Sequence, residues 1–152
     1  MAMMSVGDIM TRDLLTLDQS ATLKDAHDLM REKSIRHIPV VDKLTGKLLG
    51  VLTQKRMIAA IMSILSDYGV SALERRERQC RVVEMIESDF DSVDEQAPLT
   101  QVVAFFLNNK HGCLTIVDEQ HCLIGIVTSS DFVRLCGKLL AERRADHATP
   151  SS

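Results

Sequence analysis

Tryptophan is absent and tyrosine occurs once, at Tyr68; four phenylalanines complete the aromatic set. Such a chain offers few flat rings on which bases or sugars could stack. Positive charge is not in surplus either. Eighteen Lys+Arg stand against 21 Asp+Glu, a net charge of −3, which argues against non-specific nucleic-acid binding as the main role. Long hydrophobic runs are missing. The densest, from Met57 to Leu65, is broken by Ser63 and falls well short of the ~20 residues a bilayer-spanning helix needs, so no membrane partner is expected. Met1 to Asp8 carry neither a basic region nor an apolar stretch, so no secretory signal and a cytoplasmic location are expected. The four cysteines, Cys80, Cys113, Cys122 and Cys136, form no Cys-x-x-Cys pair and are expected as reduced thiols. Dinucleotide, P-loop, zincin and nucleophile-elbow fingerprints are missing too. No enzyme activity and no resident cofactor are therefore expected.

What is present is self-similarity. With an offset of 76, Asp13 falls on Asp89, Asp18 on Asp94, Ala21 on Ala97, Leu23 on Leu99, Val41 on Val117 and Asp42 on Asp118. Shortening the second hairpin by one residue then places Gly50 on Gly125 and Thr53 on Thr128.

Each half predicts the same order of elements. An extended segment comes first, Leu14 to Leu17 or Phe90 to Val93. A helix begins near Thr22 or Pro98. In the second half its apolar stripe is Leu99, Val102, Val103, Phe106 and Leu107, spaced i, i+3, i+4, i+7, i+8. A hairpin follows, Ile38–Val41 with Leu48–Leu52, or Leu114–Val117 with Leu123–Val127. A second helix begins at Gln54 or Ser129. The fold class is α+β: two β-α-β-β-α repeats packed sheet to sheet with pseudo-two-fold symmetry. The expected division is a first repeat over 1–70, a helical linker over 71–82, a second repeat over 83–145 and a flexible tail over 146–152. The run Glu74-Arg75-Arg76-Glu77-Arg78 reads as a solvated helix face. Pro39 reads as a strand-start residue lacking a donor.

The ordered pattern Val6-x-Asp8-Ile9-Met10-Thr11, Ala26-x-x-Leu29-Met30, His37-Ile38-Pro39-Val40-Val41-Asp42 and Gly46-Lys47-Leu48-Leu49-Gly50-Val51-Leu52-Thr53 resembles a CBS domain, named after cystathionine β-synthase. Thr115-Ile116-Val117-Asp118 and Gly125-Ile126-Val127-Thr128-Ser129-Ser130-Asp131 resemble a second copy. Together they resemble a Bateman module covering Ser5 to Leu140. The resemblance implies a regulatory sensor that binds AMP, ADP, ATP, S-adenosylmethionine or a related adenosyl ligand in a cleft between the repeats. It also implies signalling to a separate effector protein. It places recognition of the adenine edge at backbone groups around His37-Ile38 and Cys113-Leu114.

Asp131 and Thr128 open the last helix. A plain N-cap and a helix-dipole partner would account for them. A nucleoside would too: a carboxylate can accept both hydrogen bonds of a vicinal ribose diol, and a threonine hydroxyl with free helix N–H groups can meet a phosphate. The first half has Arg56 where the second has Asp131, and an arginine accepts no hydrogen bond. Lys55 and Arg56, joined by Arg36 and His37, read either as surface residues or as cations for phosphates in the cleft. Thr11 and Thr53 complete the expected ligand-binding set, centred on one competent site at Asp131 and a degraded one at Arg56.

Two other functions compete. One is a ligand-free dimerisation module of the same fold. The other is a metal-responsive protein using His111, Cys113, His121 and Cys122, whose spacing matches no standard zinc pattern. A homodimer is expected in any case. The helix from Gln54 is apolar nearly all round, and the last helix carries Phe132, Val133, Leu135, Cys136, Leu139 and Leu140. Helices of that kind need cover on more than one side.

Overall fold

Threonine caps set the starts of two helices in a computed structural model that describes residues 4–88, 90–108 and 112–148. A short strand β1 (Leu17–Asp18) leads to Thr22, whose hydroxyl accepts from the Asp25 N–H while the Asp25 carboxylate accepts from the Thr22 N–H at 2.9 Å. This reciprocal cap launches α1 (Leu23–Lys33), which buries Leu23, Ala26 and Met30 on one face. β2 (His37–Val41) and β3 (Leu48–Thr53) form the hairpin. Thr53 then caps α2 (Gln54–Tyr68) by accepting from the Arg56 N–H at 3.2 Å. A sharp bend of 119° follows α2, and α3 (Leu73–Gln79) forms the core of the connection. The second half repeats the order with β4 (Ser92–Val93), α4 (Leu99–Asn108), β5 (Cys113–Val117), β6 (Leu123–Thr128) and α5 (Ser129–Ala148). α5 thus continues into the stretch expected as a tail.

Each half holds a three-stranded sheet, in the order β1-β2-β3 or β4-β5-β6, with a parallel first pair and an antiparallel hairpin. Both hairpins slip register at the same place, between Val40 and Val41 and between Ile116 and Val117. Both turns need a left-handed residue at the same point. Gly46 supplies it in the first (φ 76°), and His121 bears it in the second (φ 66°).

The halves exchange their leading segments. Val6 N–H donates to Ala97 O (2.8 Å), and 76 residues on, Val82 N–H donates to Ala21 O (3.0 Å). Thr11 exchanges two backbone bonds with Ile126 on the open edge of β6, at 2.8 and 3.0 Å. Glu87 does the same with Val51 on β3, at 3.0 and 3.2 Å. Val6 and Met10 accordingly join the core of the second half, and Val82, Met85 and Ile86 join that of the first. The crossing explains two glycines. A Cβ on Gly50 would lie 2.7 Å from Glu87 O, and one on Gly125 would overlap the Met10 side chain. At the opposite end the hairpin tips clasp, with Leu48 N–H on His121 O and Leu123 N–H on Gly46 O. Between the sheets, Val51, Phe90 and Cys113 form a third buried cluster. Strand residues are therefore buried on both faces, as their unbroken apolar runs require.

Three readings change. Pro39 lies inside β2, paired with Val51, rather than at its start. Val51 turns its N–H and C=O towards Glu87, so the proline ring replaces no bond of the β2–β3 ladder. α4 buries Val102 but leaves Val103 and Leu107 exposed. The helix is rotated because Phe105 and Phe106 turn inward, with Phe106 meeting Phe132 of α5 edge to face at 5.3 Å. The charge run on α3 is not wholly solvated. Glu77 is buried against α1, where its carboxylate meets His27 Nδ1 at 2.8 Å, and Arg76 stacks 3.6 Å over the Tyr68 ring. Only a tertiary neighbour makes such a burial possible.

Candidate functional site

The last turn of β6 and the first turn of α5 place Thr128 and Asp131 side by side. Asp131 Oδ2 accepts from the Thr128 N–H at 2.8 Å, so the carboxylate caps its own helix. Its Oδ1 accepts from the Thr11 hydroxyl at 2.8 Å. Thr11 comes from the crossing segment, so this one bond ties residues 120 positions apart. Arg134, one turn further along α5, adds its Nη2 to the same oxygen. The Asp131 side chain is 2% exposed.

Cys113 begins β5 directly opposite Thr128. It is fully buried, and burial, reinforced by the Asp131 charge, pushes its thiol well above the usual range. Cys113 thus forms a buried wall beside the site, in one cluster with Val51 and Phe90. Leu114 points the other way, into the second core, so only its backbone faces the region expected to read adenine. Two surface hollows lie elsewhere. One of about 500 Å³ sits beside Asp18, Asp25 and Asp42, and one of about 210 Å³ lies between Ser92, Phe105 and Leu114. Neither is lined by Asp131. Its carboxylate is closed over by Thr11 and Arg134.

The first half builds the same corner with different chemistry. Thr53 pairs with His37 across the β2–β3 ladder, and the Arg36 carbonyl accepts from the Gln54 N–H at 2.8 Å. Lys55 and Arg56 are exposed on the first turn of α2. Arg56 Nε donates to the Met85 carbonyl at 3.1 Å, on the segment that crosses this sheet. Glu87 holds the place that Thr11 holds in the other half. The two corners approach each other at the strand starts, where a Cβ on Gly112 would lie 3.5 Å from the His37 ring.

The structure thus joins Thr11, Thr128 and Asp131 by direct bonds, with Cys113 alongside. Arg36, His37, Thr53, Lys55 and Arg56 gather at the equivalent corner. Arg134 was missed from sequence, although its i+3 spacing from Asp131 was a usable signal. Of the metal-reading residues, His111 lies outside the described residues, as does Asp89. Cys113 and Cys122 occupy opposite ends of the hairpin, and Cys122 Sγ donates to Thr45 O at 3.3 Å. Among the described residues no group of three His, Cys, Asp or Glu is arranged for a metal.

The family model of the CBS domain matches residues 6–63 and again 82–138. A solved structure from Vibrio cholerae, described as a candidate acetoin utilization protein (AcuB), is 35% identical. It superposes with a TM-score of 0.78, covering 98% of this chain and 100% of that one. CBSX2, a CBS-pair protein of Arabidopsis thaliana, solved in complex with AMP, is 26% identical with a TM-score of 0.72, covering 89% of this chain and 97% of that one. Among curated proteins, a homoserine O-acetyltransferase of Methanobrevibacter ruminantium is 29% identical over 133 residues, which are 86% of this chain and 24% of that protein. The chain spans about a quarter of the length of the curated acetyltransferases it matches.

Proposed function

The chain belongs to the CBS domain family, and on that premise we propose that it is a regulatory module that senses an adenosine-containing ligand at Asp131 and reports occupancy to a separate protein. Paired CBS domains are generally regulatory rather than catalytic. One observation carries the reading. A buried carboxylate at the start of α5 is held jointly by its own helix and by the crossing segment from the other repeat. A ribose diol engaging that carboxylate would therefore touch both halves at once. AMP bound to CBSX2 supports the ligand class. Four free cysteines support a reducing compartment such as the cytoplasm.

Thermal melting with AMP, ADP, ATP and S-adenosylmethionine, each alone at millimolar concentration, tests the reading. A ligand at 100 times its dissociation constant adds about 2.7 kcal/mol, a rise of about 5–10 °C for a chain of this size. Calorimetry should then count one ligand per chain, because Arg56 offers the ribose no acceptor. Two equivalent ligands would contradict the assignment at Arg56. No shift with any nucleotide would leave the ligand-free interaction module, for which the present engagement of every Asp131 oxygen speaks.

The reading includes a homodimer. α2 packs Met57 and Ile64 into its own core but exposes Ile58 at 49% and Met62 at 58%, and α5 exposes Val133 at 70% and Leu140 at 62%. Large apolar side chains exposed together on a helix are rarely left bare. Light scattering at tens of micromolar should give twice the chain mass, and Met62→Glu, at a position 58% exposed, should give the monomer. A monomeric wild type would refute the dimer.

A further inference from the structure

Asp131 has no idle oxygen. Oδ1 already accepts from Thr11 and Arg134, and Oδ2 from the Thr128 N–H. A ribose diol brings two more donors, so at least one present donor must leave. Thr128 N–H is fixed by the start of α5. The Thr11 backbone is held by its two bonds to Ile126, and its short side chain keeps the hydroxyl next to the carboxylate. Arg134 is the movable one: its side chain is 67% exposed, while the carboxylate it covers is 2% exposed. The first half lacks both members of the pair. At the positions 75 residues earlier stand Arg56 and Ala59, so the covering arginine occurs only beside the carboxylate.

Displacing Arg134 takes a counter-charge away from a buried anion, which is costly. The loss is offset only when the incoming ligand supplies another anion for the guanidinium. A 5′-phosphate does so, because it lies across the same sugar ring from the diol and arginine grips phosphate through paired N–H groups. A neutral nucleoside offers nothing in exchange. We infer that Arg134 is a specificity-determining residue, an internal competitor for the ribose-binding carboxylate that makes the site favour phosphorylated nucleosides over neutral ones. The inference rests on the nucleotide reading of Asp131.

Calorimetry of the full chain with AMP and with adenosine tests it, for the wild type, Arg134→Gln and Arg134→Lys. The wild type should bind AMP at least about tenfold more tightly than adenosine, the equivalent of one charge-assisted hydrogen bond. In Arg134→Gln adenosine should tighten by about tenfold while AMP changes by less than about threefold, so the preference collapses. Arg134→Lys, which keeps the charge but not the paired N–H groups, should keep only part of the preference. If Arg134→Gln weakens both ligands equally, the arginine is merely structural and the inference fails. An unchanged ratio, or a wild type indifferent to the phosphate, also overturns it. A wild type that binds neither ligand overturns the nucleotide reading itself.

Discussion

Asp131→Ala is expected to weaken nucleotide binding by at least tenfold while costing the fold only a few degrees. The ribose hydroxyls are two donors that need an acceptor in a site closed to water. Leaving such donors unmet costs about 1–3 kcal/mol, more when the lost acceptor is charged, and 1.4 kcal/mol is already tenfold. The stability cost has a different origin. The variant loses the cap on the Thr128 N–H and the partner of the Thr11 hydroxyl. That loss is about 1–2 kcal/mol, or about 2–8 °C in melting temperature. Unchanged affinity in a folded Asp131→Ala chain would remove the site assignment altogether.

The second large effect is on stability. Gly50→Ala is expected to lower the melting temperature by roughly 10 °C, whereas Gly137→Ala should raise it slightly. At Gly50 the new methyl would stand 2.7 Å from Glu87 O and 3.0 Å from Ile86 Cδ1. Glu87 cannot yield cheaply, since both its backbone groups are bonded to Val51. Relief means lifting the crossing segment from β3. That forfeits those two bonds, about 1 kcal/mol each, and adds an overpacking cost of about 1–3 kcal/mol. Gly137 lies within α5 with nothing inside 4 Å of its would-be Cβ. Alanine there gains helix propensity of about 0.5–1 kcal/mol. Equal melting temperatures for the two variants would show that the crossing segment is not tightly held against the sheet.

Much of the fold was legible because its signals are local. Thr22 and Asp25 cap α1 within one turn. The repeat offset placed Gly50 on Gly125 and Thr53 on Thr128, and both pairs sit at matching points of their hairpins. The start of α2 at Gln54 follows from the Thr53 cap, and α5 starts at the equivalent Ser129, where the Asp131 carboxylate holds the Thr128 N–H. At the site, Thr128 and Asp131 were readable from their spacing at a helix start. Arg134 escaped notice because its capture by Asp131 depends on the carboxylate being buried, which α5 alone does not dictate.

By itself the sequence determined two copies of β-α-β-β-α, their caps and turns, and the asymmetry between Asp131 and Arg56. These depend on period, chain stiffness and residue chemistry within a few positions. Only the tertiary structure decided which half receives residues 5–11, which face of α4 is buried, and where Glu77 lies. The physical reason is that each sheet edge and each apolar face can be satisfied by any segment of suitable pattern. The choice falls to whichever segment closes the last backbone bonds and fills the remaining core. Here the segment leading into each repeat completes the other. Thr11 therefore reaches Asp131 from the far half, and a bond across 120 residues stands at the centre of the candidate site.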